Sequence, residues 1–148
     1  KRAGRSVGEY ARGGRLERDL LVDVPCEIWI PAARPDVIRG DNAARLETKL
    51  VLQGANIPCT EEAERILHER GVVVVPDFIA NAGGVIAASV ELHGGDETEA
   101  LALLDRKIRE NTRAVLEHAR KAGVLPRAAA LALAEARVRA AMDLHRFG

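Results

Sequence analysis

A run of four valines, Val72–Val75, ends at Pro76 and constrains the fold of this chain more than any other segment. β-Branched residues in an uninterrupted row are typical of a strand buried on both faces, as in a parallel sheet. Two further short apolar segments, Glu27–Ile30 and Lys49–Gln53, are also followed directly by proline or glycine. We therefore predict three strands that end at these positions.

Helical patterns fill the segments between and after the predicted strands. The boundary signals are Thr60 as an N-cap, Asp96 with Glu99 as a capping box, and Pro126 in a first helical turn. The predicted helices cover residues 61–70, 83–92, 97–122 and the segment from 126 onwards, with a short helix within 35–46. On the last helix, one apolar face is formed by Leu131, Ala134, Val138 and Ala141. Strands that alternate with helices predict an α/β fold with a parallel sheet.

Composition and charge exclude several classes of function. The 148 residues include 22 basic and 22 acidic side chains, so no basic surface for nucleic acid is expected. No apolar run approaches the roughly 18 residues that span a bilayer, so we expect no membrane insertion and a cytoplasmic protein. Cys26 and Cys59 lack a CxxC spacing, and the four histidines share no ligand spacing. We therefore expect free thiols and no metal site.

Small or uncharged polar residues follow all three predicted strands. They are Ala32-Ala33, Gly54-Ala55-Asn56 and Asn81-Ala82-Gly83-Gly84. Each segment alone is typical of a turn, but the carboxyl ends of parallel strands meet along one crevice. Small side chains leave room there for a flat ligand, and asparagine amides can bind a carboxamide or a ribose. Together, the three segments fit a nucleotide crevice better than three independent turns.

Several longer motifs contain these strand ends. They are Glu27-Ile-Trp-Ile-Pro-Ala-Ala33, Asn42-Ala43, Gln53-Gly-Ala-Asn-Ile-Pro-Cys-Thr60 with Glu62-Ala63, Pro76-Asp77, Asn81-Ala-Gly-Gly-Val85 and Glu91. In order and spacing they resemble the amino-acid dehydrogenases of the glutamate/leucine/phenylalanine/valine family, most of all the glutamate or leucine enzymes. The resemblance covers about residues 15–142.

The resemblance implies a fold and a domain organisation. The implied fold is the C-terminal half of a Rossmann-like doubly wound parallel sheet, followed by a helical C-terminal segment. Residues 1–18 would be a residual linker or crossover, 19–95 a partial nicotinamide-dinucleotide-binding domain, and 96–148 helices packed on it. Because a three-stranded sheet leaves an unpaired edge, we expect further strands before residue 1 and self-association of the isolated chain through that edge.

The resemblance also implies roles for individual residues. Those expected at the cofactor, NAD or NADP, are Ala32 and Ala33 near the adenosine and its ribose, Asn56 at the nicotinamide ribose and Asn81 at the nicotinamide. Val85 and Ala88 are expected to face the substrate side chain. The family's catalytic lysines and aspartate belong to an N-terminal substrate domain without a counterpart in this sequence. No catalytic residue is therefore assigned, and the chain alone is expected to be inactive.

The resemblance implies that this chain is part of a longer protein, the parent protein. The reaction implied for the parent protein is the NAD(P)-dependent, reversible oxidative deamination of an L-amino acid to the 2-oxo acid and ammonia. The substrate is open between glutamate and a branched-chain amino acid. Glutamate-specific members carry serine where Ala88 stands, whereas Gly54–Thr60 looks like the glutamate members. The parent protein is expected to be a homo-oligomer.

Two other functions are compatible with the sequence. One is a non-catalytic regulatory subunit of a glutamate dehydrogenase complex, for which Ala88 and the mixed motifs leave room. The other is an α/β interaction domain with a helical tail. Cofactor affinity that depends on Asn56 and Asn81 would separate the dehydrogenase from the interaction domain.

Overall fold

The three predicted strands form a parallel sheet. The computed structural model describes residues 16–145 together with residues 9, 13 and 14. In this part of the chain the sheet has the order β1 (Ile28–Trp29), β2 (Leu50–Leu52) and β3 (Val73–Val75). Trp29 pairs with Val51, and Val51 pairs with Val74, so all three strands end at the same edge. The predicted α/β fold with a parallel sheet is confirmed, while most of the linker predicted over residues 1–18 lies outside the described residues.

Five α-helices accompany the sheet in the same part of the chain. They are α1 (Glu61–Glu69), α2 (Asp77–Ala80), α3 (Gly83–Leu92), α4 (Glu97–Ala122) and α5 (Pro126–His145). Short 3-10 helices cover Arg18–Asp23 and Ala43–Arg45. The four longer predicted helices are therefore confirmed almost to the residue. The four-residue α2 was not predicted, and the helix expected within residues 35–46 is reduced to one 3-10 turn.

Local side-chain chemistry sets the boundaries of the helices. Thr60 Oγ1 accepts a hydrogen bond from the backbone N–H of Ala63 over 3.2 Å and so caps α1. At the start of α4, Asp96 Oδ1 accepts from the Glu99 N–H and Glu99 Oε2 accepts from the Asp96 N–H, at 2.9 and 3.1 Å. This is the predicted capping box. Gly123 ends α4 with a left-handed backbone (φ +65°), which glycine adopts without a steric penalty.

The core has two parts. One lies between the sheet and α1 and contains Ile38, Leu46 and Leu67, all fully buried. Truncation of such a residue to alanine typically costs about 2–5 kcal/mol. The other lies where α4 crosses α5 and contains the buried side chains of Val115 and Ala129.

The packing of α5 differs from the apolar pattern of its sequence. The face that carries Leu131 and Val138 is exposed, whereas Ala129 and Ala130 are buried. The small alanine side chains let α5 approach α4 closely, so the helix packs mainly through alanines and not through the predicted apolar face. Leu133 is partly buried against this core, whereas Leu131 and Val138 face away from it.

Neither a membrane span nor a metal centre is found in the described part of the chain. None of the helices between residues 16 and 145 combines the length and apolar character needed to cross a membrane. In the same range, no cluster of three His, Cys, Asp or Glu side chains is arranged to hold a metal ion.

Candidate functional site

The loops that follow β1 and β2 touch each other. The backbone N–H of Ala55 donates to the carbonyl oxygen of Pro31 over 2.8 Å. A Cβ atom added to Gly54 would lie only 3.1 Å from the Cβ of Ala32, so glycine at this position permits the close approach of the two loops. Ala32 and Ala33 themselves are exposed. They line one wall of a cavity of about 550 Å³ at the β1 side of the sheet.

The ends of β2 and β3 are joined by an asparagine pair. Asn81 Nδ2 donates to Asn56 Oδ1 over 2.8 Å and to the carbonyl oxygen of Ala55 over 3.4 Å. These bonds use the donor side of one carboxamide and the acceptor side of the other. Within residues 16–145, no hydrogen bond engages the Asn56 Nδ2 or the Asn81 Oδ1. The pair therefore offers a donor and an acceptor side by side at the edge of the sheet.

The loop that carries Asn56 is held in an unfavourable backbone conformation. Ile57 has a left-handed backbone (φ +49°), which costs an L-residue roughly 1–2 kcal/mol. Its backbone N–H donates to Asp77 Oδ2 over 2.9 Å. Asp77 lies at the start of α2, directly after β3, so a carboxylate from the neighbouring strand end stabilises the strained loop.

A buried ion network lies behind this loop and was not predicted from the sequence. Arg127, in the first turn of α5, donates through Nη2 to Asp77 Oδ1 over 2.9 Å and to Glu64 Oε1 over 2.8 Å. Arg127 Nε adds bonds to both oxygens of Glu64 at 3.0 and 2.9 Å. The guanidinium also lies 5.6 Å from the centre of the Phe78 ring. One cation thus joins α1, α2 and α5.

Gln53 completes the network through both ends of its carboxamide. Its Oε1 accepts from the Asp77 backbone N–H over 3.2 Å and from Arg127 Nη2 over 2.9 Å, while its Nε2 donates to Glu64 Oε1 over 2.6 Å. Gln53 is fully buried, and Glu64 and Asp77 are nearly so. Every buried side-chain nitrogen and oxygen in the described part of the chain has a hydrogen-bond partner, as low-dielectric surroundings require.

The network shifts the pKa values of Asp77 and Arg127. Burial alone would raise the pKa of Asp77, but the Ile57 N–H and the Arg127 guanidinium outweigh it and lower that pKa below its usual value. Burial likewise opposes the charge of Arg127, yet Glu64 and Asp77 raise its pKa further. Beside the network, burial and then the negative charge of Glu64 raise the pKa of the Cys59 thiol to about 12. Arg127 and Asp77 are therefore charged at neutral pH, and Cys59 is protonated.

The residues expected at the substrate lie on α3. Val85 and Ala88 are three residues apart and therefore lie on the same side of the helix. Both are exposed, and Val85 has 77% of its surface accessible. The N-terminus of α3 packs closely on α4, because a Cβ atom at Gly83 would lie 3.0 Å from Leu104 Cδ1. The two side chains thus form an open apolar wall beyond the asparagine pair.

The structure brings some of the predicted site residues together and adds others. Asn56 and Asn81 are in direct contact, and the Ala32 loop meets the Gly54 loop, whereas Val85 and Ala88 lie apart on the following helix. One feature of the sequence could have indicated the buried ion network. Glu64 directly follows Ala63 and lies on the buried face of α1. A carboxylate on a buried face needs a cationic partner.

These features define an α/β domain of the Rossmann type, in which small residues and two asparagine side chains lie past the carboxyl ends of parallel strands. The model of the Glutamate/Leucine/Phenylalanine/Valine dehydrogenase family matches residues 1–146, and the chain belongs to this family. The resemblance seen in the motifs is confirmed.

Individual relatives agree with this assignment. The chain is 40% identical over 124 residues to a glutamate dehydrogenase from Aeropyrum pernix, covering 80% of this chain and 30% of that protein. It is 44% identical over 86 residues to an NADP-specific glutamate dehydrogenase from Saccharolobus shibatae, covering 58% of this chain and 20% of the relative. A hetero-hexameric glutamate dehydrogenase from Thermus thermophilus, solved in a Leu-bound form, superimposes with a TM-score of 0.79 at 28% identity, covering 94% of this chain and 35% of that one. The chain thus spans about a third or less of the length of these relatives.

Proposed function

We propose that the protein carrying this chain is an amino-acid dehydrogenase that oxidatively deaminates an L-amino acid to the 2-oxo acid and ammonia, reversibly and with NAD or NADP. The observation that carries the proposal is the contact between Asn56 and Asn81 at the ends of two neighbouring parallel strands. The family assignment and the names of the relatives support the same reaction class.

The described residues fit a nicotinamide cofactor. The exposed Ala32 and Ala33 leave space for the adenosine and its ribose, and Gly54 keeps the neighbouring loop close. At the other end, the free Asn56 N–H groups suit a ribose hydroxyl, and the free Asn81 oxygen suits the carboxamide N–H groups of a nicotinamide. Bound there, the cofactor would accept the hydride that leaves the Cα atom of the amino acid. The asparagine pair would orient the nicotinamide ring and hold it next to the apolar wall formed by Val85 and Ala88.

Val85 and Ala88 form the proposed wall for the substrate side chain. Neither offers a hydrogen-bond donor, so a distal carboxylate beside them would lack a partner from this helix. The relatives named glutamate dehydrogenase favour glutamate, whereas this wall favours an aliphatic side chain. Both substrates therefore belong in the test.

The proposal extends to the organisation of the protein. Residues 19–95 would contribute one part of the cofactor domain, and residues 96–148 would form helices that support it. The catalytic lysines and aspartate would come from a separate substrate domain. We place the protein in the cytoplasm as an oligomer, and the hexameric assembly of the Thermus thermophilus relative supports oligomerisation. The relatives' names do not favour a non-catalytic regulatory subunit.

A substrate and cofactor screen of the full-length protein tests the proposal. We expect reduction of NAD or NADP to depend on glutamate or on a branched-chain amino acid, and Asn56→Ala to raise the KM of the cofactor about tenfold, as loss of a hydrogen-bond partner predicts. Asn111→Ala is the matched control, since Asn111 lies on α4 and binds Arg137 at 3.0 Å. Absence of turnover with every amino acid, or an unchanged cofactor KM in Asn56→Ala, would contradict it.

A further inference from the structure

The carboxylate of Asp77 accepts hydrogen bonds from the loop after β2, which carries Asn56, and from α5. Oδ2 accepts from the Ile57 N–H, and Oδ1 accepts from Arg127 Nη2, each over 2.9 Å. Because both oxygens belong to one rigid carboxylate, the position of Arg127 determines where the acceptor for Ile57 lies. A residue 70 positions along the chain thus bears on the backbone next to Asn56.

Arg127 is itself fixed in orientation. Glu64 receives bonds from both Nε and Nη2, an arrangement that holds the guanidinium plane, and Gln53 accepts from the same Nη2. The Asp77 backbone N–H is bound to the same Gln53 oxygen over 3.2 Å. Both ends of the Arg127–Asp77 pair are therefore anchored to the end of β2.

The loop needs this support because its conformation is unfavourable. Ile57 has a positive φ and an exposed side chain, so burial of that side chain contributes little to holding the backbone. Without the Asp77 acceptor, Ile57 would relax towards the extended backbone that the following Pro58 favours, and this change would rotate the preceding peptide. Asn56 would then leave Asn81.

We propose that Arg127 and Asp77 are positioning residues that set the nicotinamide end of the cofactor crevice, acting on Asn56 through the Ile57 backbone. The inference deepens the proposed function and rests on it for the role of Asn56. If the inference is right, cofactor affinity depends on whether the Ile57 N–H has a hydrogen-bond acceptor. It does not depend on the stability of the ion network.

Asp77→Asn, alone and in combination with Arg127→Met, separates these quantities. In Asp77→Asn, the one remaining side-chain oxygen is drawn to Arg127 and the amide group faces the Ile57 N–H. In Asp77→Asn combined with Arg127→Met, the oxygen is free to accept from Ile57, although Glu64 loses its cation. We expect the cofactor KM to rise about tenfold in Asp77→Asn, a change of about 1.4 kcal/mol, and to recover to within about threefold of wild type in the combined variant. The thermal midpoint is expected to fall further in the combined variant.

The KM of the amino acid is expected to change less than twofold in Asp77→Asn. Arg139→Met is the matched control, since Arg139 lies on α5 in an exposed pair with Glu135. It should change neither KM. A cofactor KM in the combined variant that equals or exceeds that of Asp77→Asn would show that the network is purely structural and would overturn the inference.

Hydrogen exchange of the same full-length proteins supplies a readout that needs no cofactor. The Ile57 amide is expected to exchange at least about tenfold faster in Asp77→Asn, because its acceptor is lost. The Thr60 amide, bound to the Ile38 carbonyl oxygen over 3.0 Å, should keep its protection. Unchanged exchange at Ile57 would overturn the inference even in an active enzyme. Faster exchange in a protein that binds no nicotinamide cofactor would leave the loop mechanism intact and refute the proposed function instead.

Discussion

Asn81 donates a hydrogen bond from its carboxamide to the carboxamide oxygen of Asn56 over 2.8 Å, although the two residues follow different strands. The bond fixes the amide orientation of both side chains before any ligand arrives. Preorganisation of this kind lowers the entropy cost of binding. We therefore expect removal of this pair to weaken ligand binding more than any other single change in the crevice.

Replacement of Asn81 by leucine should weaken cofactor binding. Leucine has nearly the same shape as asparagine but cannot hold the Asn56 amide, so that side chain would rotate freely. Loss of one hydrogen bond and of the preorganised orientation predicts about a tenfold increase in the Kd of the cofactor. Calorimetric titration of the full-length protein measures it. A Kd equal to that of wild type would rule out a role for the pair.

Replacement of Ala88 by serine should shift substrate preference towards glutamate. A hydroxyl on this exposed face of α3 could donate to a distal carboxylate, and a hydrogen bond to a charged group contributes about 1.5–3 kcal/mol. We expect kcat/KM for glutamate relative to leucine to rise about tenfold. Ser89→Ala is the control, because position 89 lies about 100° round the helix. The same preference in wild type and Ala88→Ser would show that α3 does not line the substrate.

The strain at Ile57 predicts a stabilising substitution. Asparagine adopts a left-handed backbone more readily than a β-branched residue. Ile57→Asn should therefore raise the free energy of unfolding by roughly 0.5–1 kcal/mol. Ile30→Asn is matched in exposure, since both isoleucines are 59% accessible, and Ile30 lacks a positive φ. Denaturant unfolding followed by fluorescence of Trp29, the single tryptophan, provides the measurement. A loss of stability at position 57 as large as at position 30 would contradict the strain.

Asp77 should make the fold sensitive to acid. Because the folded state lowers its pKa below the unfolded value of about 3.9, its contribution is complete above that value and is lost as pH falls through the lower, folded-state pKa. Each unit of lowering contributes about 1.4 kcal/mol. The unfolding free energy of wild type should therefore fall more steeply below about pH 4 than that of Asp77→Asn.

The control for acid sensitivity is Asp105→Asn. Asp105 pairs with Arg109 over 2.8 Å on the exposed face of α4, and an exposed ion pair contributes little. Parallel pH curves for wild type and Asp77→Asn, with only Asp105→Asn differing, would show that the buried network does not titrate as described.

The fold could be predicted where its determinants are local. Thr60, the Asp96–Glu99 box and Gly123 each act within four residues of the boundary that they set. The short α2 offers too few residues for a periodic pattern, and it depends on Pro76 and on the bond from the Asp77 N–H to Gln53. The exposed face of α5 was equally hidden, since an apolar stripe does not reveal whether a neighbouring helix prefers small residues.

The candidate site likewise has one part that could be predicted from the sequence and one part that could not. The asparagine pair could be predicted because parallel strands must end at one edge, whatever the rest of the chain does. The ion network could not, because Arg127 meets Gln53 and Glu64 across more than 60 residues of sequence. Such contacts depend on how α5 crosses the sheet. That crossing is set by the packing of Ala129 and Ala130, which the sequence pattern does not show.

Cys59 has a consequence for how movement of the loop can be followed. Its thiol is buried two residues beyond Ile57, paired through the backbone with Ile38, and kept protonated by a pKa of about 12. The thiolate is the nucleophile that reacts with alkylating reagents, so Cys59 is protected both by its burial and by its protonation. Cys26 is only half-buried and supplies an internal standard. The labelling rate of Cys59 relative to that of Cys26 therefore measures how often the segment around Cys59 opens to solvent. The protein thus contains both the reporter of this movement and its internal reference.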